Sequence, residues 1–188
     1  MTTTRHDTDL VSVITEDHRA VERVFTELET GTSSPEQRKD LTDHVIAELV
    51  RHSVAEEQFM YPAARKHLPD GDELADHELA EHAEAESVMK ELESKKPDDP
   101  RFEELLGKLI ADIRHHVDEE ESDLLPKLQA ACSPEELADL GQKVLRAKKI
   151  APTRPHPAAP DRPPANLILA PGTAFVDKIR DALSGRRT

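Results

Sequence analysis

Apolar positions along this chain recur at intervals of three and four, the period of a helix with one buried face. Over residues 9–30 that face is Leu10, Ile14, His18, Val21, Phe25 and Leu28, and Gly31 ends it. Ser34-Pro35-Glu36-Gln37 opens a second helix, with Ser as the cap, Pro at the first position and Gln placed to complete a capping box. Its inner face runs Leu41, Val45, Leu49, His52, Glu56, Phe59 and Ala63. Pro62 lacks an amide N–H, so a kink or the last turns are expected there. Leu68-Pro69-Asp70-Gly71 breaks the pattern. A third helix covers about 72–95, with Ala75, Leu79, His82, Met89 and Leu92 inward. A fourth runs from Asp99-Pro100 to about 130 with the face Phe102, Leu106, Leu109, Ile113, His116, Glu120 and Leu124. Ser133-Pro134-Glu135-Glu136 is a further capping box and starts a fifth helix over 134–149.

These elements predict an all-α fold. Four long helices with short loops pack as an up-down-up-down antiparallel four-helix bundle, to which the fifth, C-terminal helix adds Leu137, Leu140, Val144 and Leu145. Residues 1–149 are expected to form this bundle plus its fifth helix, and residues 150–188 a proline-rich tail. Seven prolines between Pro152 and Pro171 read as an extended or disordered linker. Residues 173–183 regain a short amphipathic pattern through Phe175, Val176, Ile179 and Leu183.

The chain also repeats itself. Adding 64 carries His52, Glu56, Glu57 and Pro62 onto His116, Glu120, Glu121 and Pro126. The same shift takes His18 to His82, Val45 to Leu109, Leu49 to Ile113 and Leu28 to Leu92. The pattern is that of a duplicated helical hairpin. Of ten histidines, only His18/His82 and His52/His116 map onto each other. His77 and His115 lie off the inner face and are expected at the surface.

Composition narrows the chemistry. Aromatic residues make up 3 % of the chain and there is no Trp, so the core is aliphatic. The single cysteine, Cys132, excludes an internal disulfide or a thiolate metal cluster. The net charge of −14 argues against a nucleic-acid partner, because phosphate contacts need clustered Lys and Arg. The tail carries six basic and three acidic side chains, so it is placed either to fold back on the acidic bundle or to find a protein partner or a membrane surface. No stretch has the roughly 20 apolar residues of a membrane span, and the first residues have no apolar run of a signal peptide. A cytoplasmic protein is the expectation.

The inner faces place His18, His52, Glu56, His82, His116 and Glu120 at similar depth. Burying ionised carboxylates in an aliphatic core costs several kcal/mol each unless they are compensated, and metal cations supply that compensation. Four imidazoles give two nitrogen ligands to each of two metals, and two carboxylates can bridge them. Mixed nitrogen and oxygen donors without thiolate favour iron or manganese, with zinc as a further option. Glu57 and Glu121 sit one step round and are expected to support ligands or face solvent. Glu22 and Glu86, four after His18 and His82, are placed to orient an imidazole, gate the site or face solvent.

Asp17-His18-Arg19, the HxxxEE…YP run from His52 to Pro62, Glu81-His82, and the HxxxEE…LP run from His116 to Pro126 resemble the hemerythrin-like family, in its HHE cation-binding branch. The resemblance covers about residues 8–130. It implies a non-haem di-iron centre with an oxide or hydroxide bridge. His18, His52, His82 and His116 would be terminal ligands, and Glu56 and Glu120 would bridge. It further implies a protein that binds or senses oxygen, nitric oxide, iron or redox state, or else an enzyme with catalase-like or peroxidase-like activity on peroxide. The oxygen carriers of the family pair a fifth histidine four positions away on the third helix. Here the positions four either side of His82 are Glu78 and Glu86, which argues against reversible oxygen carriage.

Overall fold

The structure, a computed structural model, describes residues 8–31, 33–158, 177 and 181. The amphipathic stretch expected over residues 173–183 lies mostly outside these. Helix α1 spans Leu10–Thr30, and Asp9 caps it by accepting from the Ser12 amide at 2.8 Å. Helix α2 spans Pro35–Ala55, and both halves of the Ser34/Gln37 capping box are present. It continues through a π turn, Glu56–Met60, into α3, Tyr61–His67. Helix α4 spans Gly71–Glu93 and α5 spans Pro100–Glu119. A second π turn, Glu120–Leu124, leads into α6, Leu125–Ala131. Helix α7, Pro134–Ile150, starts at the Ser133/Glu136 capping box. Taken as rods, α1, α2–α3, α4 and α5–α6 are the four long helices, and α7 packs across α1 and α2 as the fifth.

The π turns replace the kink expected at Pro62. A proline in an α-helix clashes with the carbonyl four residues back and donates no hydrogen bond. One extra residue in the preceding turn relieves both problems, and the Tyr61 and Leu125 amides bond instead to the Glu56 and Glu120 carbonyls, five residues back. The extra residue also rotates the inner face. Beyond Glu56 the face expected to show Phe59 shows Met60, Tyr61 and Ala64 fully buried, while Phe59 is half-buried at the edge of the core.

The core is in two parts. One apolar cluster holds Leu10, Ile14, Met60, Leu79, Leu124 and Val144; the other holds Phe25, Ile46, Met89, Phe102, Leu106 and Leu109. Between them, in sequence and in space, lies the layer containing His18, His52, His82 and His116. Two backbone approaches close the first cluster: a Cβ on Gly141 would press into the backbone of Thr8–Leu10, and one on Gly71 into the Ala64 carbonyl. Contrary to a free linker, Ala151–Pro155 are buried. Arg154 binds Asp181 and Glu93 at 2.8 and 2.7 Å, and the His156 amide donates to Glu86 at 2.6 Å, so this stretch straps along α4.

Candidate metal centre

Each rod contributes to the polar layer at its midpoint. His52 and Glu56 share a face because they are one turn apart at the end of α2, and His116 and Glu120 do the same at the end of α5. Each glutamate is the first residue of a π turn. His18 and His82 come from the centres of α1 and α4. All six side chains singled out from sequence are buried, with exposures of 0–7 %.

The two glutamates lie between the histidine pairs. Glu56 has Oε1 3.0 Å from His52 Nε2 and Oε2 3.5 Å from His82 Nε2. Glu120 has Oε2 3.4 Å from His18 Nε2 and Oε1 3.7 Å from His116 Nε2. Ligand atoms of His18, His52, Glu56 and Glu120 therefore converge on one point. Those of Glu56, His82 and His116 converge on a second, and Glu78, His116 and Glu120 form a group beside it. A void of about 10 Å³ touches all four imidazoles.

Carboxylates hold the outer nitrogens. His18 Nδ1 lies 2.9 Å from Glu121, His82 Nδ1 3.1 Å from Glu57, His52 Nδ1 3.4 Å from Asp17 and His116 Nδ1 3.0 Å from Glu81. The 64-residue shift carries the third of these pairs onto the fourth, and it relates the first to the second by taking His18 to His82 and Glu57 to Glu121. This arrangement turns every Nε2 inward and fixes the rings. Glu57 and Glu121 thus support imidazoles. The parts of Asp17 and Glu81 escaped the sequence reading, although both are acidic and 64 apart. Glu22 is engaged with Arg114, and Glu86 with the His156 amide.

Two features break the symmetry. Tyr61, whose counterpart is Leu125, is buried, donates its hydroxyl proton to Glu120 at 3.0 Å and lies 3.0 Å from His82 Nε2. Glu78, whose counterpart is Ile14, is 2 % exposed and has Oε2 2.9 Å from His116 Nδ1, out of line for a hydrogen bond. Only the π turn, which swings Tyr61 inward, would have flagged the first.

The charges explain what the layer needs. Burial opposes the charge on Glu56, yet His52 and His82 hold it well below the usual carboxylate range. Burial likewise opposes protonation of His52, but Glu56 and Asp17 raise it to about 10. For His82, Glu56 and Glu57 outweigh burial and raise it to about 9. Burial pushes Glu78 up, and burial with the neighbouring glutamates keeps the Tyr61 phenol protonated. Protons on His52 and His82 would balance Glu56 where cations would, and metal binding must displace them. Six buried side-chain atoms among the described residues lack an aligned hydrogen-bond partner. Thr42 Oγ1 is one; the other five are His18 Nε2, both oxygens of Glu56, Glu78 Oε2 and Glu120 Oε2. Buried carboxylate oxygens left this way are costly, and they are the atoms a pair of bridged metals would use. These clusters can chelate metal ions and suit a di-iron centre.

Comparison with known proteins agrees. The family model for the hemerythrin HHE cation-binding domain matches residues 9–128. The chain belongs to the hemerythrin family. This hemerythrin-like chain is 30 % identical over 177 residues to an uncharacterized hemerythrin-like protein of Schizosaccharomyces pombe, covering 94 % of this chain and 87 % of that one. It is 27 % identical over 146 residues to a DNA nickase of Nostoc, an alignment that spans 77 % of this chain but only 40 % of the nickase. In fold it is similar to a crystal structure of a hemerythrin HHE cation-binding domain-containing protein from Mycobacterium kansasii. The TM-score is 0.65 at 23 % identity, over 75 % of this chain and 85 % of that one. Among the described residues no helix of this hemerythrin-like chain is long and apolar enough to cross a membrane.

Proposed function

We propose that this chain is a non-haem di-iron protein that binds or senses a small ligand such as oxygen, nitric oxide or peroxide, or responds to iron or redox state. In this reading His18 and His52 hold one iron, His82 and His116 the other, and Glu56 and Glu120 bridge the two. The observation that supports it is the placement of two buried carboxylates between two histidine pairs, with both oxygens of Glu56 and Oε2 of Glu120 lacking an aligned hydrogen-bond partner. Bound iron would supply a redox couple and coordination positions for a small ligand. The chain's own residues orient the rings through Asp17, Glu57, Glu81 and Glu121, and exclude bulk water with the two apolar clusters. Tyr61 directs its hydroxyl proton at Glu120. A void of about 10 Å³ touching the four rings has room for about one water molecule.

Glu78 favours sensing or redox chemistry over reversible carriage. A carboxylate stands where the oxygen carriers have a histidine, and negative charge beside the second cluster stabilises the ferric state. The acidic charge of the chain gives no support to a nucleic-acid partner, and a cytoplasmic setting fits its composition. Anaerobic reconstitution with ferrous iron, followed by metal counting, tests the reading. Two irons per chain are expected, with an optical spectrum that changes on exposure to oxygen and does not revert on its removal. A reversible change would instead indicate carriage, and steady oxygen release from added peroxide the catalase-like activity. Fewer than one tightly held metal per chain would overturn the di-iron reading.

A further inference from the structure

Two exposed histidines outside the buried layer, His77 and His115, each stand four residues before a glutamate, Glu81 on α4 and Glu119 on α5. The two helices pack side by side, and the four side chains meet. His77 Nε2 is 3.0 Å from Glu119 Oε2 and 3.8 Å from Glu81 Oε1, and His115 Nε2 is 3.8 Å from Glu81 Oε1 and 3.7 Å from Glu119 Oε1. We infer that His77, Glu81, His115 and Glu119 form a surface site for a divalent cation, from which metal is passed inward to the buried centre.

His77, Glu81 and Glu119 bring ligand atoms within 4.8 Å of one another, with His115 at the edge of the group, and imidazole and carboxylate donors without thiolate suit iron(II), manganese(II) or zinc. The exposure of this group leaves coordination positions to water, so the ion is held weakly enough to move on. Glu81 belongs to both sites: Oε1 faces the surface histidines while Oε2 lies 3.0 Å from His116 Nδ1. A cavity of about 320 Å³ runs between α4 and α5 at this point. Glu81, His115, Glu84 and Asp112 line it together with the buried His82 and His116, while His77 and Glu119 stand beside it. The buried Glu78, one residue from His77, adds an oxygen with no aligned partner beside His116. A cation moving inward therefore meets carboxylate oxygens at each stage.

Asp17, the counterpart of Glu81, is ion-paired with Lys148 of α7. The counterparts of His77 and His115 are Val13 and Arg51. The duplication does not account for the surface tetrad, and a cation approaching the Asp17 side meets positive charge. Two ordinary imidazolium–carboxylate surface pairs would share this geometry, and metal uptake distinguishes them from a cation site.

The inference rests on the two-metal reading of the buried centre, and the test separates the two. Full-length metal-free protein and the His77→Ala/His115→Ala double variant are mixed anaerobically with iron(II). Bound iron is counted at equilibrium, and its uptake is followed by rapid mixing and quenching with a chelator. The parent protein should bind two irons tightly and a third weakly. The variant should bind only the two, reach the same optical spectrum, and fill several-fold more slowly, because the imidazole donors that would hold the entering ion are gone. An unchanged filling rate, or a weak third iron that survives in the variant, overturns the inference. A parent protein that binds fewer than two irons overturns the two-metal reading, and with it this one.

Discussion

Replacing Glu56 by glutamine removes one negative charge from the buried layer while keeping its size and shape. In the metal-free protein the loss is buffered. His52 loses the partner 3.0 Å from its Nε2 but keeps Asp17, and it can shed its proton rather than remain as an unpaired buried cation. A cost of roughly 1–2 kcal/mol is expected, the scale of one buried polar interaction. The metal-bound protein should suffer far more, because a neutral amide cannot bridge two cations. A metal present at a thousand times its Kd stabilises the native state by about 4 kcal/mol. For a chain of this size that raises Tm by about 8–16 °C. The parent protein should therefore melt about 10 °C higher with iron than without it, and the E56Q variant at nearly the same temperature in both conditions. Calorimetry with matched metal analysis reads this difference of differences, which cancels any general loss of stability.

The E57Q variant is the control. Glu57 meets the outer nitrogen of His82 at 3.1 Å, so its loss should weaken metal binding by about 10–100-fold while leaving two irons at saturation. An E56Q protein that keeps two irons and the full shift in Tm, or an E57Q protein more impaired than E56Q, would refute the assignment of bridging and supporting roles.

Helical glycines make a contrasting pair in chemical denaturation. Gly107 faces open space, so Gly107→Ala should stabilise by about 0.5–1 kcal/mol, whereas Gly141→Ala, pressed against the backbone of Thr8–Leu10, should cost about 1–3 kcal/mol. Arg154→Ala should destabilise by about 1–3 kcal/mol, since it removes the guanidinium shared by the buried Asp181 and the partly buried Glu93; an unchanged Tm would mean that the strap along α4 adds no stability. Burial and the nearby Glu136 raise the Cys132 thiol above its ordinary value, so less of it is thiolate at pH 8 than in free cysteine. A thiol reagent should label the folded protein several-fold more slowly than free cysteine, and labelling at the free-cysteine rate would contradict that environment.

What the sequence could and could not reveal follows from the two rules used to read it. Period 3.6 found the bundle and its inner faces, and the 64-residue repeat selected four of ten histidines, all of which lie in one layer with Glu56 and Glu120. Each rule fails where the molecule departs from it. The periodicity rule assumes a constant turn, so it missed the extra residue that Pro62 forces into the π turn. It put Phe59 where Met60 and Tyr61 are buried, and so left the Tyr61 hydroxyl out of the site. The repeat rule detects only what both halves share. It recovers the ligand-like residues and, read more closely, the Asp17/Glu81 and Glu57/Glu121 supports. It is blind to Glu78 opposite Ile14, Tyr61 opposite Leu125, and His77 and His115 opposite Val13 and Arg51. A duplicated hairpin makes a symmetric pocket for two like cations, but a symmetric pocket has no preferred side for entry and no reason for its two irons to differ. The unshared groups Glu78, His77 and His115 sit on α4 and α5, and Tyr61 reaches toward them from α3 to His82 and Glu120. The shared residues therefore bear on whether metal binds, and the unshared ones on what the bound metals do.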